Sequence, residues 1–277
     1  MQEIFYYKMH NWRKYNGTLI SALPPHVDIE NSEQSILKYI KMEEAFFARW
    51  ISDFDSENET CFWYVICDKK MSIEDYSRNT RSKIRRGLKN CNVKLISKNE
   101  IINNGYLCYS EAFKNYNSYL PSKSFDEFKN ALLSLKGDWH FWGIYMGKEL
   151  IGYSQNLVIG DFCDYSTIKF NPYYLKFYPS YVLFYTMNKY YLNDNNFRYV
   201  SDGARSLFHE TNIQDFLIKK FRFRKAYCNL HIIYDYKIKV GIYLIYPLRL
   251  VFSFFNNRFV NKIKFILLQE KIRRSFL

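Results

Sequence analysis

The sequence predicts an α+β fold, a sheet of short strands with helices packed on it. Three observations carry that expectation. Residues 139–227 contain apolar runs of strand length divided by the turn signals Gly147-Lys148 and Gly160-Asp161. Further along the same stretch, residues 181–191 and 213–221 have the apolar spacing of helices. No internal repeat or low-complexity linker interrupts the 277 residues, and a 48% hydrophobic content is enough to bury a core.

From the N-terminus, residues 1–90 are irregular and punctuated by Asn16-Gly17 and Pro24-Pro25. Residues 32–50 read as a helix, with Ile36, Tyr39, Ile40 and Phe46 or Phe47 near one face. Residues 62–67 are rich in β-formers and read as a strand. Residues 72–88 read as a helix capped by Ser72, with Asp75 three residues on. A strand at 92–96 follows Asn90, and 98–116 is an amphipathic helix carrying Ile101, Ile102, Leu107, Cys108 and Phe113. Another helix covers 124–135. Strands follow at 140–146, 150–159 and 162–170, the last broken by Asn171-Pro172. After the helix at 181–191, a short strand at 198–201 stops at Asp202-Gly203. Thr211 or Asn212 caps the helix at 213–221, with Ile213, Phe216, Leu217 and Phe221 on one face. Residues 227–234 form a closing strand.

A net charge of +13 suggests an anionic partner: a phosphate-rich cofactor, nucleic acid or a membrane surface. The plain alternative is solubility with lysine-rich usage. Aromatic residues make up 20% of the chain, too many for each tyrosine to mark a binding site. Six cysteines show no paired metal spacing, the five histidines are scattered, and no metal is expected. Residues 1–15 lack a long apolar stretch, so no secretory leader is expected and a reducing cytoplasm is the natural setting. No HExxH, G-x-S-x-G, P-loop or dinucleotide fingerprint occurs.

Basic charge gathers in two places. On a helix, Arg78, Arg81, Arg85 and Lys89 fall on one stripe that suits phosphates, and no acidic residue lies between Arg78 and Lys89. A solvated helix face is the other reading. The tail, 237–277, is apolar and then basic, with Arg258, Lys262, Lys264, Lys271, Arg273 and Arg274 against Glu270. Its apolar run is shorter than the roughly 20 residues that span a bilayer. It suits a helix in an anionic membrane interface, or a helix pair packed on the domain.

The run from Ser77 to Lys89, followed by Val93 to Leu95, resembles the arginine-rich helix before the first strand of FemABX-like acyltransferases. The order strand, two helices, hairpin, third strand, helix, lone strand, helix, strand resembles the GNAT superfamily. That resemblance implies a mixed, mainly antiparallel sheet flanked by helices, in a domain at 91–236 after an N-terminal extension at 1–90. It implies an N-acyltransferase with acetyl-CoA or another acyl-CoA as donor, lying between two parted strands near Thr167 and Val200. The acceptor would be an amino group on a small molecule or cell-envelope precursor. Residues implied at the donor are Ile168, Phe170, Lys176, Tyr178, Ser180 and Asn212, with the pyrophosphate on a helix N-terminus. The family's glycines fall here near Tyr178 and Ser180, which makes aminoacyl-tRNA the rival donor. Aligning the Lys219–Phe223 turn puts Ile218 where the family has tyrosine and Arg222 where it has glycine. The candidates for the proton-accepting base are Asp202, His209, Glu210 and Asp164. A protein of this kind is expected in the cytoplasm or peripheral on the inner membrane face. A non-catalytic module of the same shape, binding anionic lipid or RNA, is the reading from another class.

Overall fold

The computed structural model describes residues 12–15, 17–29, 32–114, 121–206, 212–254 and 258–276. The strands are β1 (Trp12–Tyr15), β2 (Thr18–Ser21), β3 (Phe47–Ser56), β4 (Trp63–Cys67), β5 (Asn92–Ile96), β6 (Asp138–Met146), β7 (Glu149–Ile159), β8 (Phe162–Phe170), β9 (Tyr199–Ala204) and β10 (Arg224–Tyr234). The helices are α1 (Glu33–Met42), α2 (Arg78–Asn90), α3 (Lys98–Lys114), α4 (Phe125–Leu133), α5 (Pro179–Asn188), α6 (Asn212–Phe221), α7 (Tyr236–Ile245) and α8 (Arg258–Arg274). The expected fold class, a mainly antiparallel sheet flanked by helices, is the one observed.

The chain forms two compact units. One comprises residues 65–203 and 212–224, the other 1–64, 204–211 and 225–277. In the first, strands run in the order β4-β9-β8-β7-β6-β5. β5 to β8 are antiparallel to their neighbours, and β8 and β9 run parallel. Helices α3 and α4 cover part of this sheet, burying Ile101, Ile102, Cys108, Phe128 and Leu132 with Phe141 and Tyr153. Helix α5 is buried almost all round, with Val182, Leu183, Phe184 and Met187 inaccessible to solvent. It continues into a π-helical turn over Lys189–Asp194 that sinks Tyr191 and Leu192.

In the second unit the order is β1-β2-β3-β10. Helix α1 packs Ile36 and Ile40 with Trp12, Leu19 and Ala48. Helices α7 and α8 bring Ile242 and Ile272 to Phe47, Leu230, Ile232 and Tyr234. The α8 carboxylate Glu270 is only 2% exposed, yet Arg273 (2.8 Å), Arg274 (2.7 Å) and the Tyr234 hydroxyl (3.0 Å) all contact it. Burial alone would raise this carboxyl; the two guanidinium partners hold it below the ordinary range. Of the two readings of the tail, α8 follows the one that packs on the domain. No helix among the described residues is long and apolar enough to cross a membrane.

Several elements differ from expectation. The helix expected over 32–50 ends at Met42, because Glu44 turns left-handed at φ 49° and the chain re-enters as β3. The helix expected over 72–88 is two pieces. Ser72 and Asp75 cap each other around a single 3-10 turn, and Ser77 caps the true helix by accepting from Thr80 N–H. β1 and β2 were not expected. Among the six cysteines only Cys61 is exposed, and none is paired. Burial pushes the thiols of Cys67 up to about 11 and of Cys108 and Cys228 up to about 12.

Of the three positions aligned with glycines in the family resemblance, Tyr178 and Arg222 keep glycine-like backbone and Ser180 does not. Tyr178 precedes α5 at φ 62° and Arg222 ends α6 at φ 60°. A side chain in that region costs roughly 1–2 kcal/mol, which a helix-ending glycine avoids. Arg222 is exposed, and its contact with the Asp75 carbonyl is long at 3.4 Å. Arg222→Gly should therefore stabilise the protein by about 1 kcal/mol. Urea unfolding measures it, and an unchanged or lower midpoint would contradict it.

Candidate active site

The site begins where two strands stop pairing. The parallel register of β8 and β9 has three rungs, Phe162↔Tyr199, Cys163↔Val200 and Asp164↔Ser201. β8 then runs on to Phe170 without a further rung to β9. Its other edge explains the change. β7 pairs Leu157 with Asp164 and Gln155 with Thr167, so Tyr165 and Ser166 together oppose Asn156 alone. That extra residue is a β-bulge, which bends and twists its strand. Past it, Ser166 is exposed and Thr167 to Phe170 are partly exposed. Ile168 and Phe170, expected at the donor, lie on this open stretch.

The bulge rests on buried, hydrogen-bonded groups. Tyr165, on the bulge itself, donates its hydroxyl proton to Asn188 Oδ1 on α5 at 2.9 Å. Asn156, opposite the bulge, receives the Ser154 hydroxyl and directs its Nδ2 to the Tyr191 hydroxyl at 3.3 Å. Trp142 Nε1 donates to the same hydroxyl at 3.0 Å, and His140 Nδ1 lies 3.1 Å from it. Among the described residues, Asn188 Nδ2 is the member of this network left buried without a hydrogen-bond partner.

Two carboxylates stand at the fork. The last rung sets Asp164 beside Ser201, and Asp202 follows on β9. Asp202 is partly buried. Loss of solvent and the neighbouring Asp164 charge push its carboxyl up to about 8, partly countered by Gln214. Gln214, in the first turn of α6, also reaches the Asp202 carbonyl at 3.5 Å. Gly203 has φ 81°, with open space where a Cβ would stand, so conformation rather than crowding calls for glycine there. Its N–H donates to Ser201 Oγ at 2.9 Å. Asn212 is the exposed first residue of α6. His209 and Glu210 lie outside the described residues.

The third component is α2. Its inner face buries Thr80, Ile84 and Gly87. Its outer face presents Arg78, Arg81, Ser82, Arg85, Arg86 and Lys89 around one open concavity. The absence of acids within 78–89 suggested uncompensated repulsion. In the structure Glu74 pairs with Arg81 at 3.1 Å and Arg85 at 2.6 Å from outside that window. These pairs are exposed and contribute little stability. Among the described residues Arg78, Arg86 and Lys89 have no carboxylate partner.

The same helix covers the start of α5. A Cβ on Gly87 would meet Val182 Cγ2 at 2.2 Å and the Tyr178 carbonyl oxygen at 3.0 Å, so only glycine permits this contact. That carbonyl accepts from the N–H groups of Tyr181 and Val182. Pro179 opens the helix. Lys83, which the stripe pattern had not singled out, lies 3.3 Å from the Tyr181 hydroxyl and over the Tyr178 and Tyr181 rings. Ser180 is partly exposed here, while Lys176 is exposed with its ammonium over the Phe177 ring.

No family model matches the chain, and no curated protein matches it in sequence. Solved structures do. FemX superposes with a TM-score of 0.54 at 10% identity, over 78% of this chain and 81% of its own. L-PGS from Bacillus licheniformis gives 0.52 at 10% identity, over 95% and 85%. A C-terminal domain (DUF2156) from Agrobacterium fabrum, described as part of a lysylphosphatidylglycerol synthetase, gives 0.51 at 8% identity, over 78% of each. The chain shares its fold with these structures. At these identities the likeness is one of architecture.

Asp202 gives this architecture a pH signature. Folding pushes its carboxyl from the ordinary 3.8 up to about 8. Between those values the folded chain holds the extra proton, so stability falls as pH rises across that window. Asp202→Asn removes the dependence. The variant should match the native protein at the acid end and exceed it at and above pH 8, by on the order of a few kcal/mol. Parallel stability–pH curves for the two proteins would contradict this.

Proposed function

We propose that the protein is an acyl- or aminoacyl-transferase, acting on an amino group of a small molecule or cell-envelope precursor. The observation that carries this reading is the end of β8–β9 pairing beside Asp164 and Asp202. An extended donor arm lying along the open edge of β8 meets backbone N–H groups at its carbonyl, which they polarise. The acceptor nitrogen attacks the carbonyl carbon. The bond to the donor's oxygen or sulfur then breaks, and that atom leaves with a proton. The nitrogen's proton passes to the carboxylate pair. Asp202 accepts it in its ionised form, populated as pH rises toward about 8, and returns it to the leaving atom.

Two donors suit the slot. Aminoacyl-tRNA is favoured by the packing of Gly87 on α5. That contact occupies the helix start on which a CoA pyrophosphate would rest, while the α2 arginines remain open to phosphates. One of the similar folds is described as a domain of a lysylphosphatidylglycerol synthetase. Acyl-CoA is the second reading, favoured by the accessible Lys176 and Ser180 at the same helix start.

Ligand-induced stabilisation separates the two. Aminoacyl-tRNA should raise the melting temperature, with an effect that fades steeply with salt and weakens in an Arg86→Glu, Lys89→Glu variant. Acetyl-CoA should leave it unchanged. The reverse pattern would assign the donor to acyl-CoA, and no response to either would remove the transferase reading. With the donor known, turnover should rise with pH through an apparent pKa near 8, and Asp202→Asn should abolish that rise.

A further inference from the structure

Helix α7 has two apolar faces, and one is left in solvent. Ile238, Ile242 and, just past the helix, Tyr246 pack into the core of their unit. At 100° per residue, Tyr236, Val240, Tyr243 and Leu244 gather on the opposite side. They are 76%, 42%, 75% and 66% exposed. The stripe continues through exposed Leu248, Leu250 and Val251. Isolated exposed apolar residues are ordinary, but a contiguous row on one helix face marks a contact surface.

Charge identifies what the surface contacts. By the same helical spacing, Lys237 and Lys239 lie on either side of the row, both exposed, and Arg249 follows it. Not one acidic residue occurs from Tyr236 through Gln269. A protein partner chosen for apolar contact would not require that purge of negative charge. An apolar row with tyrosines, rimmed by lysines whose stems can lie along it, is the pattern of a helix resting in an anionic headgroup layer. At 10 residues α7 is far too short to span a bilayer.

We propose that the outer face of α7, with the segment through Val251, docks the protein on the surface of an anionic lipid bilayer. Tyr243 and Leu244 enter the headgroup boundary, and Lys237, Lys239 and Arg249 face lipid phosphates. The inference goes beyond the transfer reading and does not depend on which donor is used.

Vesicle flotation of the full chain tests it. The protein should float with vesicles containing either phosphatidylglycerol or phosphatidylserine, and not with phosphatidylcholine alone, because charge rather than headgroup identity is recognised. A Tyr243→Asp, Leu244→Asp variant should lose at least about tenfold in partitioning while keeping its melting temperature, since both side chains are exposed. Lys237→Glu, Lys239→Glu should weaken binding and flatten its salt dependence. The proposal fails if the native chain does not float, or if the α7 variants bind as the native chain does. It also fails if binding is lost only when Arg86 and Lys89 are reversed, which would place the contact on α2. A concentration-dependent dimer that Tyr243→Asp, Leu244→Asp dissolves, without vesicle binding, would assign the face to a second copy instead.

Discussion

One extra residue in β8 decides what this sheet can do. With Tyr165 and Ser166 both opposite Asn156, the strand bends and cannot stay in hydrogen-bonding distance of β9 beyond Asp164. Backbone groups that would be satisfied inside a closed sheet are left facing an opening. Such groups normally find a partner, and in the proposed transfer reading that partner is the donor's extended arm. The same geometry brings Asp164 and Asp202 close enough that one raises the proton affinity of the other.

An open strand keeps its place only if its surroundings hold it. Tyr165 is tied to Asn188, and Asn156 to Tyr191, inside a wall of Phe184, Tyr191 and Phe223 rings. Tyr191 is placed by the π-helical turn that follows α5, which gives the turn a role in support of the fork. Helix α2 solves a different problem. Five cations on one face repel each other, and Glu74 quenches only part of that repulsion. The helix is held mainly by its inner face, where Ile84 and Gly87 are buried.

Local features were legible in the sequence, and non-local ones were not. Strands β5 and β8 have the expected bounds, because Asn90 and Asn171-Pro172 punctuate them and β-formers fill them. Asp164 and Asp202 were each candidates, but their adjacency comes from a parallel register between strands far apart in sequence. The start of β3, up to Trp50, falls within an expected helix because Phe46 or Phe47 fits the helical spacing of Ile36, Tyr39 and Ile40 and no Gly or Pro marks the break. A glutamate, Glu44, adopts the left-handed turn instead. Glu74 sits in the 3-10 turn ahead of the Ser77 cap, outside the α2 stripe, so spacing along the helix does not reveal it as the partner of Arg81 and Arg85. Lys83 faces the α5 aromatics, a contact that no spacing rule within one helix reveals.

The distribution of thiols has a practical meaning. Five cysteines are sealed in the interior with weakened acidity, and Cys61 alone meets solvent. A thiol-reactive dye would thus modify the folded native chain at a single site, with no engineered cysteine. Unfolding would release the remaining sulfhydryls together, so the rate of their reaction reports how often the interior opens.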